Sequence, residues 1–316
     1  MAGADARGSK VAVIAIVKNE VKYIVEWVAH YRRLGASEII IFDNESSDGT
    51  LDLLTKLAQK GFIRKGVVRD ADCADIAPQV EAYRQGVVLS QSEWMLFCDI
   101  DEFLHLEDGI SLDEYVSRLE ADVGVVVLNW RAFGSGGQMD YIDAPVTERF
   151  TKGAVSQSEA NKWVKSLARR SMFGRPAIHI TYSKGRYVNA DGTQFVSALR
   201  PDGKEEKSKS ARVVHSPAAM AHFGTKSRTE FAEKIARGNA GVKPSSQRRR
   251  TPIGDADIKW RTYNINDEEI DYFTRSAKEL RKEMALINKA IGAARADEQD
   301  EAPGFGRRLK RMFGLG

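Results

Sequence analysis

Apolar and polar positions follow a repeating order along the first 130 residues. VAVIAIV (11–17) is an unbroken β-branched run, which predicts a strand covered on both faces. From Val21 to Leu34 the period becomes helical, with Ile24, Trp27, Val28, Tyr31 and Leu34 on one stripe and Gly35 as its stop. EIIIFD (38–43) predicts a second strand. Ser46, Ser47 and Asp48 then offer caps to a helix from Thr50 to Lys60, ended by Gly61, and FIRKGVV predicts a weaker third strand. Pro78 opens a helix to about Gln91, and WMLFCD (94–99) reads as a buried strand. Ser111 and Glu114 form a capping box for a helix to about Glu120, and VGVVVLNW (123–130) is a further strand. Strands alternating with helices at this spacing predict an α/β fold around a mainly parallel sheet, whose ligands sit at the carboxyl ends of the strands.

The pattern loosens from 131 to 222, where glycines and short β-like runs such as AIHITY and GRYVNA predict added strands and loops over one side of the sheet. Ser227 and Glu230 form a second capping box for a helix ending at Gly238. KPSSQRRRTP (243–252) reads as a polar linker, and Asn266 with Glu269 predicts a cap for a long helix to about Ala294. The expected division is a frayed start (1–9), a main domain (10–240), a linker (241–265), a C-terminal helix (266–294) and a tail (295–316).

Charge changes the picture at one place. The chain has 48 Lys+Arg and 44 Asp+Glu, a net charge of +4. Arg307, Arg308, Lys310 and Arg311, in a stretch 303–316 without an acidic residue, account for that whole excess. The neutral body excludes a nucleic-acid-coating protein, and 42% hydrophobic content excludes a disordered chain. Phe305, Leu309, Met312 and Phe313 recur at helical spacing among the basic residues, a stripe suited to an anionic membrane surface. No apolar run reaches the ~18 residues of a membrane span, and the start has no signal-peptide core. The sequence therefore reads as cytoplasmic, with 303–316 either a peripheral contact at the inner membrane face, a disordered solubilising tail or a helix docked on the body. Cys73 and Cys98 match no metal or redox spacing and are expected to be reduced.

The strand ends carry the chemistry. Val17 runs into Lys18-Asn19-Glu20, Phe42 into Asp43-Asn44, and Phe97-Cys98 into Asp99-Ile100-Asp101-Glu102. In an extended segment Asp99 and Asp101 would project to one side, and paired carboxylates beside a buried strand call for a cation such as Mg2+ or Mn2+. Asp43 can accept from a base N–H or hold a ribose, whereas Asp48 reads as a helix cap. His222 and Lys226 precede a helix start, which suits a metal–phosphate assembly, although a lone histidine there reads equally as a satisfied structural residue. Trp130, Phe133 and Gly134 open a glycine-rich loop suited to stacking on sugar rings. His30 is assigned no role.

In order along the chain these residues resemble the family 2 glycosyltransferases. They include Lys18-Asn19-Glu20, Glu26-Trp27, Tyr31, Asp43-Asn44, Phe97-Cys-Asp-Ile-Asp-Glu-Phe103, Trp130, Glu148-Arg149-Phe150 and Lys165-Ser166. The segment from His222-Phe223 through Lys226-Ser227, Glu230-Phe231 and Lys234 to Arg237-Gly238 completes the set. The closer likeness is to a bacterial branch sharing an Asp-x-Asp-Glu-Phe signature with the family 92 galactosyltransferase-like group. The resemblance implies a GT-A (Rossmann-like) fold and inverting transfer of a sugar from a nucleotide-sugar donor, UDP-linked, to a glycan or lipid-linked hydroxyl, as in cell-envelope or exopolysaccharide synthesis. It implies a metal shell of Asp99, Asp101 and His222, donor contacts from Lys18, Asn19, Glu20, Asp43, Asn44, Asp99 and Lys226, and Glu148 as the base. The competing readings are a metal-dependent nucleotidyltransferase, which needs a glycine- and lysine-rich first loop that Lys18-Asn19-Glu20 does not supply, and a non-enzymatic basic membrane- or glycan-binding relative. No nucleic-acid partner is expected.

Overall fold

The computed structural model describes residues 10 to 292 apart from 74, 108–109, 239 and 247–253. The expected frayed start and the basic tail at 303–316 lie outside the described residues, as does part of the 243–252 linker.

The first half alternates as its pattern predicts: β1 (Val11–Val17), α1 (Ile24–Arg33), β2 (Glu38–Asp43), α2 (Thr50–Gln59), β3 (Arg64–Val67), α3 (Pro78–Leu89) and β4 (Trp94–Phe97). Then follow β5 (Glu102–Leu106), α4 (Leu112–Ser117), β6 (Val123–Ala132), α5 (Val146–Arg149), β7 (Lys152–Gly153) and β8 (Val164–Arg169). Short strands come next: β9 (Phe173–Arg175), β10 (Tyr182–Ser183), β11 (Arg186–Asn189), β12 (Ser197–Leu199), β13 (Glu205–Ser210) and β14 (Ala218–His222). The chain continues with α6 (Arg228–Arg237), α7 (Gly254–Tyr263), β15 (Glu268–Glu269) and α8 (Ala277–Ala290).

Nine strands form one sheet in the order β3-β2-β1-β4-β8-β6-β14-β5, with β11 also on β6. Its β3-β2-β1-β4 half is parallel, and β8 enters antiparallel between β4 and β6. The α/β class with a mainly parallel sheet flanked by helices is therefore as expected. Every residue of β1 is buried, but on alternate faces. Val11, Val13, Ala15 and Val17 join a core with Trp27, Tyr31 and Phe103, while Ala12, Ile14 and Ile16 join one with Phe42, Tyr83 and Phe97. That two-sided burial is why the run is continuous rather than alternating. Helix α3 approaches β1 closely because of Gly86, where a Cβ would lie 2.5 Å from the Ile14 side chain.

Three expectations are corrected. The expected strand 94–99 ends at Phe97, and residues 98–101 form a turn closed by Glu102 N–H donating to the Asp99 carbonyl (3.1 Å). The long helix from Asn266 is absent, because Glu268 and Glu269 pair antiparallel with Gly153 and Lys152, and the Asn266 side chain accepts from Gly136 N–H (2.6 Å) instead of capping a helix. The helix begins only at Ala277 and packs on α1, with Leu280 and Ile287 buried and Glu283 on Arg32 (2.7 Å). Nor is 241–265 only a linker: α7 brings Trp260 against Phe231 of α6 (5.5 Å). Among the described residues no helix is long and apolar enough to cross a membrane.

Glu230 ties three helices together. It completes the capping box with Ser227, accepts two bonds from Arg149 (2.7 and 3.0 Å) and one from Tyr23 (2.8 Å), and is buried. Burial alone would raise its carboxyl, but Arg149, Ser227 and Tyr23 together draw it from 4.5 down to about 2. A depressed folded pKa stabilises above the unfolded value, so on the order of 3 kcal/mol present at neutral pH is lost as pH falls from about 5 to 2. Urea unfolding of Glu230→Gln against wild type across that window is expected to show the difference shrinking with acid.

Candidate active site

The acidic turn is positioned by α1. Trp27 donates its indole N–H to the carbonyls of Asp99 (3.1 Å) and Glu102 (3.0 Å). Tyr31 donates its hydroxyl to the Glu102 carbonyl (3.1 Å) and accepts from Leu104 N–H (3.1 Å). Two core aromatics of the predicted stripe thus satisfy the backbone that a turn at a strand end would leave unpaired.

The turn sends its carboxylates in different directions, so the same-side argument from extended geometry does not hold. Asp99 Oδ2 accepts from the Lys165 ammonium of β8 (2.9 Å), and its Oδ1 from the Gln79 amide of α3. Glu102 is fully buried, accepting from Asp99 N–H (2.8 Å) and the Trp130 indole (2.7 Å), with Lys165 3.4 Å away. Burial pushes the Glu102 carboxyl up, and the Asp99 and Asp101 carboxylates push it further, against the pull of Lys165 and the Asp99 N–H. Lys165 has no exposed surface; burial alone would lower it, and Asp99 and Glu102 hold it well above the usual lysine range.

Asp101 faces α6. Its Oδ2 accepts from the Lys234 ammonium (2.6 Å) and lies 3.8 Å from His222 Nε2. Register explains the meeting, since β14 sets His222 opposite Glu102 at the start of β5. The His222 ring stacks on Trp130 at 3.9 Å, and burial lowers it to about 4 against the pull of Asp101, leaving a neutral imidazole at neutral pH. Burial works to raise Asp101, yet Lys234, His222 and Lys226 hold it well below the usual carboxylate range. A neutral imidazole and a carboxylate oxygen at this separation can serve one hard cation whose other ligands are water and phosphate. Asp99 is turned to Lys165 and Gln79, and among the described residues no three acidic, histidine or cysteine side chains converge as a full metal cage.

Beside Asp101 lies a crevice of about 420 Å³ lined by Asn19, Tyr23, Asp48, Lys226, Lys234 and Arg237 among others. Asn19 has φ 53° and accepts from Ser47 N–H (2.7 Å), joining the ends of β1 and β2. Asp48 accepts from Thr50 N–H (2.9 Å) and Val21 N–H (3.2 Å), but the N-cap of α2 is Gly49 with no side-chain cap bond, so the expected helix cap is corrected to a link between the two loops. Lys226 is buried with its ammonium 4.2 Å from the Tyr23 ring centre. Lys18 is half-buried at the end of β1. Glu20 pairs with Arg237 through one oxygen, Asp43 accepts from Ser46 N–H (3.1 Å), and the Asn44 amide donates to Val68 O and Asp70 (2.9 Å each). Glu20 Oε2, Asp43 Oδ1 and Asn44 Oδ1 are buried oxygens left without a hydrogen-bond partner.

Three expected roles are not supported by position. Glu148 is taken by Arg281 of α8 in a two-bond pair (2.7 Å each) and is not among the residues lining the crevice. Loss of a general base costs ~10² to 10⁴ in rate. Glu148→Gln is instead expected to keep turnover within a few-fold of wild type and to cost less than ~1 kcal/mol of stability. Phe133 is buried against Phe223 (4.5 Å) and packs the core rather than a ligand. Gly134 is covered by the backbone of Ile265, 2.1 Å from where a Cβ would be, so this loop is fastened and not free to close. Trp130 does reach the site, through His222 and Glu102. Lys165, Gln79 and Lys234 were missed as site residues, although a lysine within the apolar run VKSLAR was a signal.

The model of glycosyltransferase family 92 matches residues 11–283. A family 92 protein of Ricinus communis is 26% identical over 198 residues, covering 58% of this chain and 34% of its own length. One of Oryza sativa subsp. japonica is 24% identical over 192 residues, covering 58% and 32%. The chain thus spans about a third of the length of these curated relatives. Among solved structures, S. aureus TarS 1-349 aligns over 89% of this chain and 80% of its own at 12% identity and a TM-score of 0.35. Glucosyl-3-phosphoglycerate synthase from Mycobacterium tuberculosis, with Mn2+, UDP and phosphoglyceric acid, aligns over 52% and 57% at 17% identity and a TM-score of 0.28. The family match runs from the first residue of β1 into α8 and contains every element that builds the acidic turn, and the chain belongs to glycosyltransferase family 92.

Proposed function

We propose that this chain transfers a sugar from a UDP-linked donor to a hydroxyl of a glycan or lipid-linked acceptor, by one inverting displacement at the Asp99–Glu102 turn. The observation that carries the reading is the set of buried, unpartnered oxygens on Glu20, Asp43 and Asn44 at the ends of β1 and β2. Buried acceptors of this kind need donors, and a nucleoside supplies them from its base N–H and ribose hydroxyls. The sheet order sets β1 between β2 and β4, so the same edge carries these oxygens and the acidic turn.

Asp101 and His222 are the residues that would hold a divalent cation, Mn2+ or Mg2+, which when bound neutralises charge on the departing diphosphate. Lys226, Lys234 and Arg237 give the crevice fixed positive charge for the same phosphates. Lys165 and Glu102 fix the backbone and carboxylate of Asp99, and Trp130 fixes the imidazole of His222. Isothermal titration of UDP is the test. Binding is expected with Mn2+, at least ~10-fold weaker in EDTA, and weakened likewise in Asp101→Asn. Binding indifferent to both changes overturns the cation assignment, and failure of any nucleotide sugar to bind overturns the reading as a whole.

A further inference from the structure

A second, larger groove of about 1060 Å³ is lined mainly by residues of the 175–182 and 194–208 segments. Val80 and His179 are among its lining residues. Val80 follows Gln79, which bonds Asp99, and His179 packs on Trp130 (6.0 Å), which stacks on His222. Asp101 therefore faces the cationic crevice on the α6 side, while Asp99 faces α3 and β8 beside this groove. One depression thus reaches Asp101 through Lys234 and the other comes near Asp99 through Val80 beside Gln79, an arrangement that suits two substrates.

The groove's lining has a chemical character. His179 Nδ1 lies 3.0 Å from the Val164 carbonyl, which can only accept, so Nδ1 carries the hydrogen and Nε2 keeps its lone pair. Among the described residues Nε2 has no hydrogen-bond partner and is not sealed from solvent. Burial lowers this imidazole to about 4, so it stays a neutral acceptor for a hydroxyl. Further out, the Arg175 guanidinium sits 3.7 Å from the Tyr182 ring centre and the Lys207 ammonium 5.7 Å from it. Among the described residues neither cation has a carboxylate within ion-pair distance, whereas Glu206 on the same rim is already paired with Lys209 (3.4 Å). Glu205 also lines the groove. Two cations gathered over one aromatic ring, neither of them in an ion pair among the described residues and with Glu205 as the opposing charge on the rim, suit a sugar chain that carries negative charge.

We infer that this groove is the acceptor site and that its occupant is an anionic oligosaccharide, its reacting end at His179 and its acidic group on Arg175 and Lys207. The inference rests on the glycosyltransferase reading and deepens it. The acid is a carboxylate or a phosphate, and the ligand panel separates the two.

The test titrates wild-type full-length protein, in Mn2+, with three oligosaccharides of equal length: one bearing uronates, one bearing phosphates and one neutral. UDP is titrated in parallel. At least one anionic ligand is expected to bind, and the neutral one ~10-fold or more weakly, with the preference shrinking at high salt. Arg175→Ala with Lys207→Ala, both exposed positions, is expected to remove that preference while leaving the UDP affinity unchanged. Neutral and anionic ligands binding alike, or a double variant that keeps the preference, overturns the inference. UDP binding with no oligosaccharide bound overturns the inference alone; oligosaccharide binding without UDP overturns the glycosyltransferase reading and leaves an anionic-glycan groove.

Discussion

Lys165→Met is expected to lower the unfolding free energy by about 3 to 5 kcal/mol. The lysine has no exposed surface, and its ammonium lies 2.9 Å from Asp99 and 3.4 Å from Glu102. Taking it away leaves the fully buried Glu102 uncompensated beside the part-exposed Asp99, and neither can turn aside: Glu102 is fixed by Asp99 N–H and Trp130, and Asp99 by Gln79. The penalty is that of uncompensated buried charge rather than of a lost contact, so it should be relieved by removing a carboxylate. Adding Glu102→Gln to the methionine variant is accordingly expected to restore part of the stability, a coupling that urea denaturation of all four proteins would measure. Strictly additive losses would show that Lys165 and Glu102 do not act as a pair.

Asp101→Asn is expected to lower kcat/KM for sugar transfer by on the order of 10³ while the fold survives. The amide has the shape of the carboxylate and still accepts from Lys234, which contacts Asp101 at 2.6 Å and Gly224 O at 3.0 Å. What it loses is the charge that, with His222 3.8 Å away, would hold a cation against the donor diphosphate. Nucleoside diphosphate release together with circular dichroism separates the two effects. A variant that is folded and active within a few-fold of wild type would remove Asp101 from the centre of the mechanism.

The parallel half of the fold was legible because its signals are local. β1, β2 and β4 are buried on both faces, α1 shows one apolar stripe, and Gly35 and Gly61 follow helix ends with positive φ. The location of the site was legible too, since acids and amides follow three strand ends. Its geometry was not. Reading Asp99 and Asp101 as extended placed them on one side, whereas Trp27 and Tyr31 fold that segment into a turn, a contact across about seventy residues that no short pattern encodes. Asn266 looked like a helix cap because its alternative partner, Gly136 N–H, is remote in sequence. Glu148 looked free because Arg281, its partner, lies on a helix whose docking depends on the tertiary fold. Lys165 stood in an apolar run, and only the pairing of β8 with β4 shows which charges require it.

The central claim is that nucleotide-sugar chemistry takes place between the ends of β1 and β2 and the Asp99–Glu102 turn. A crystal structure with UDP and Mn2+, using the anomalous scattering of manganese, tests it most directly. The account predicts a manganese peak bonded to Asp101 and His222, the diphosphate against it in the crevice of Lys226 and Lys234, and the uridine on Asp43 and Asn44. UDP bound elsewhere, or bound in that crevice with no manganese at Asp101, would contradict it.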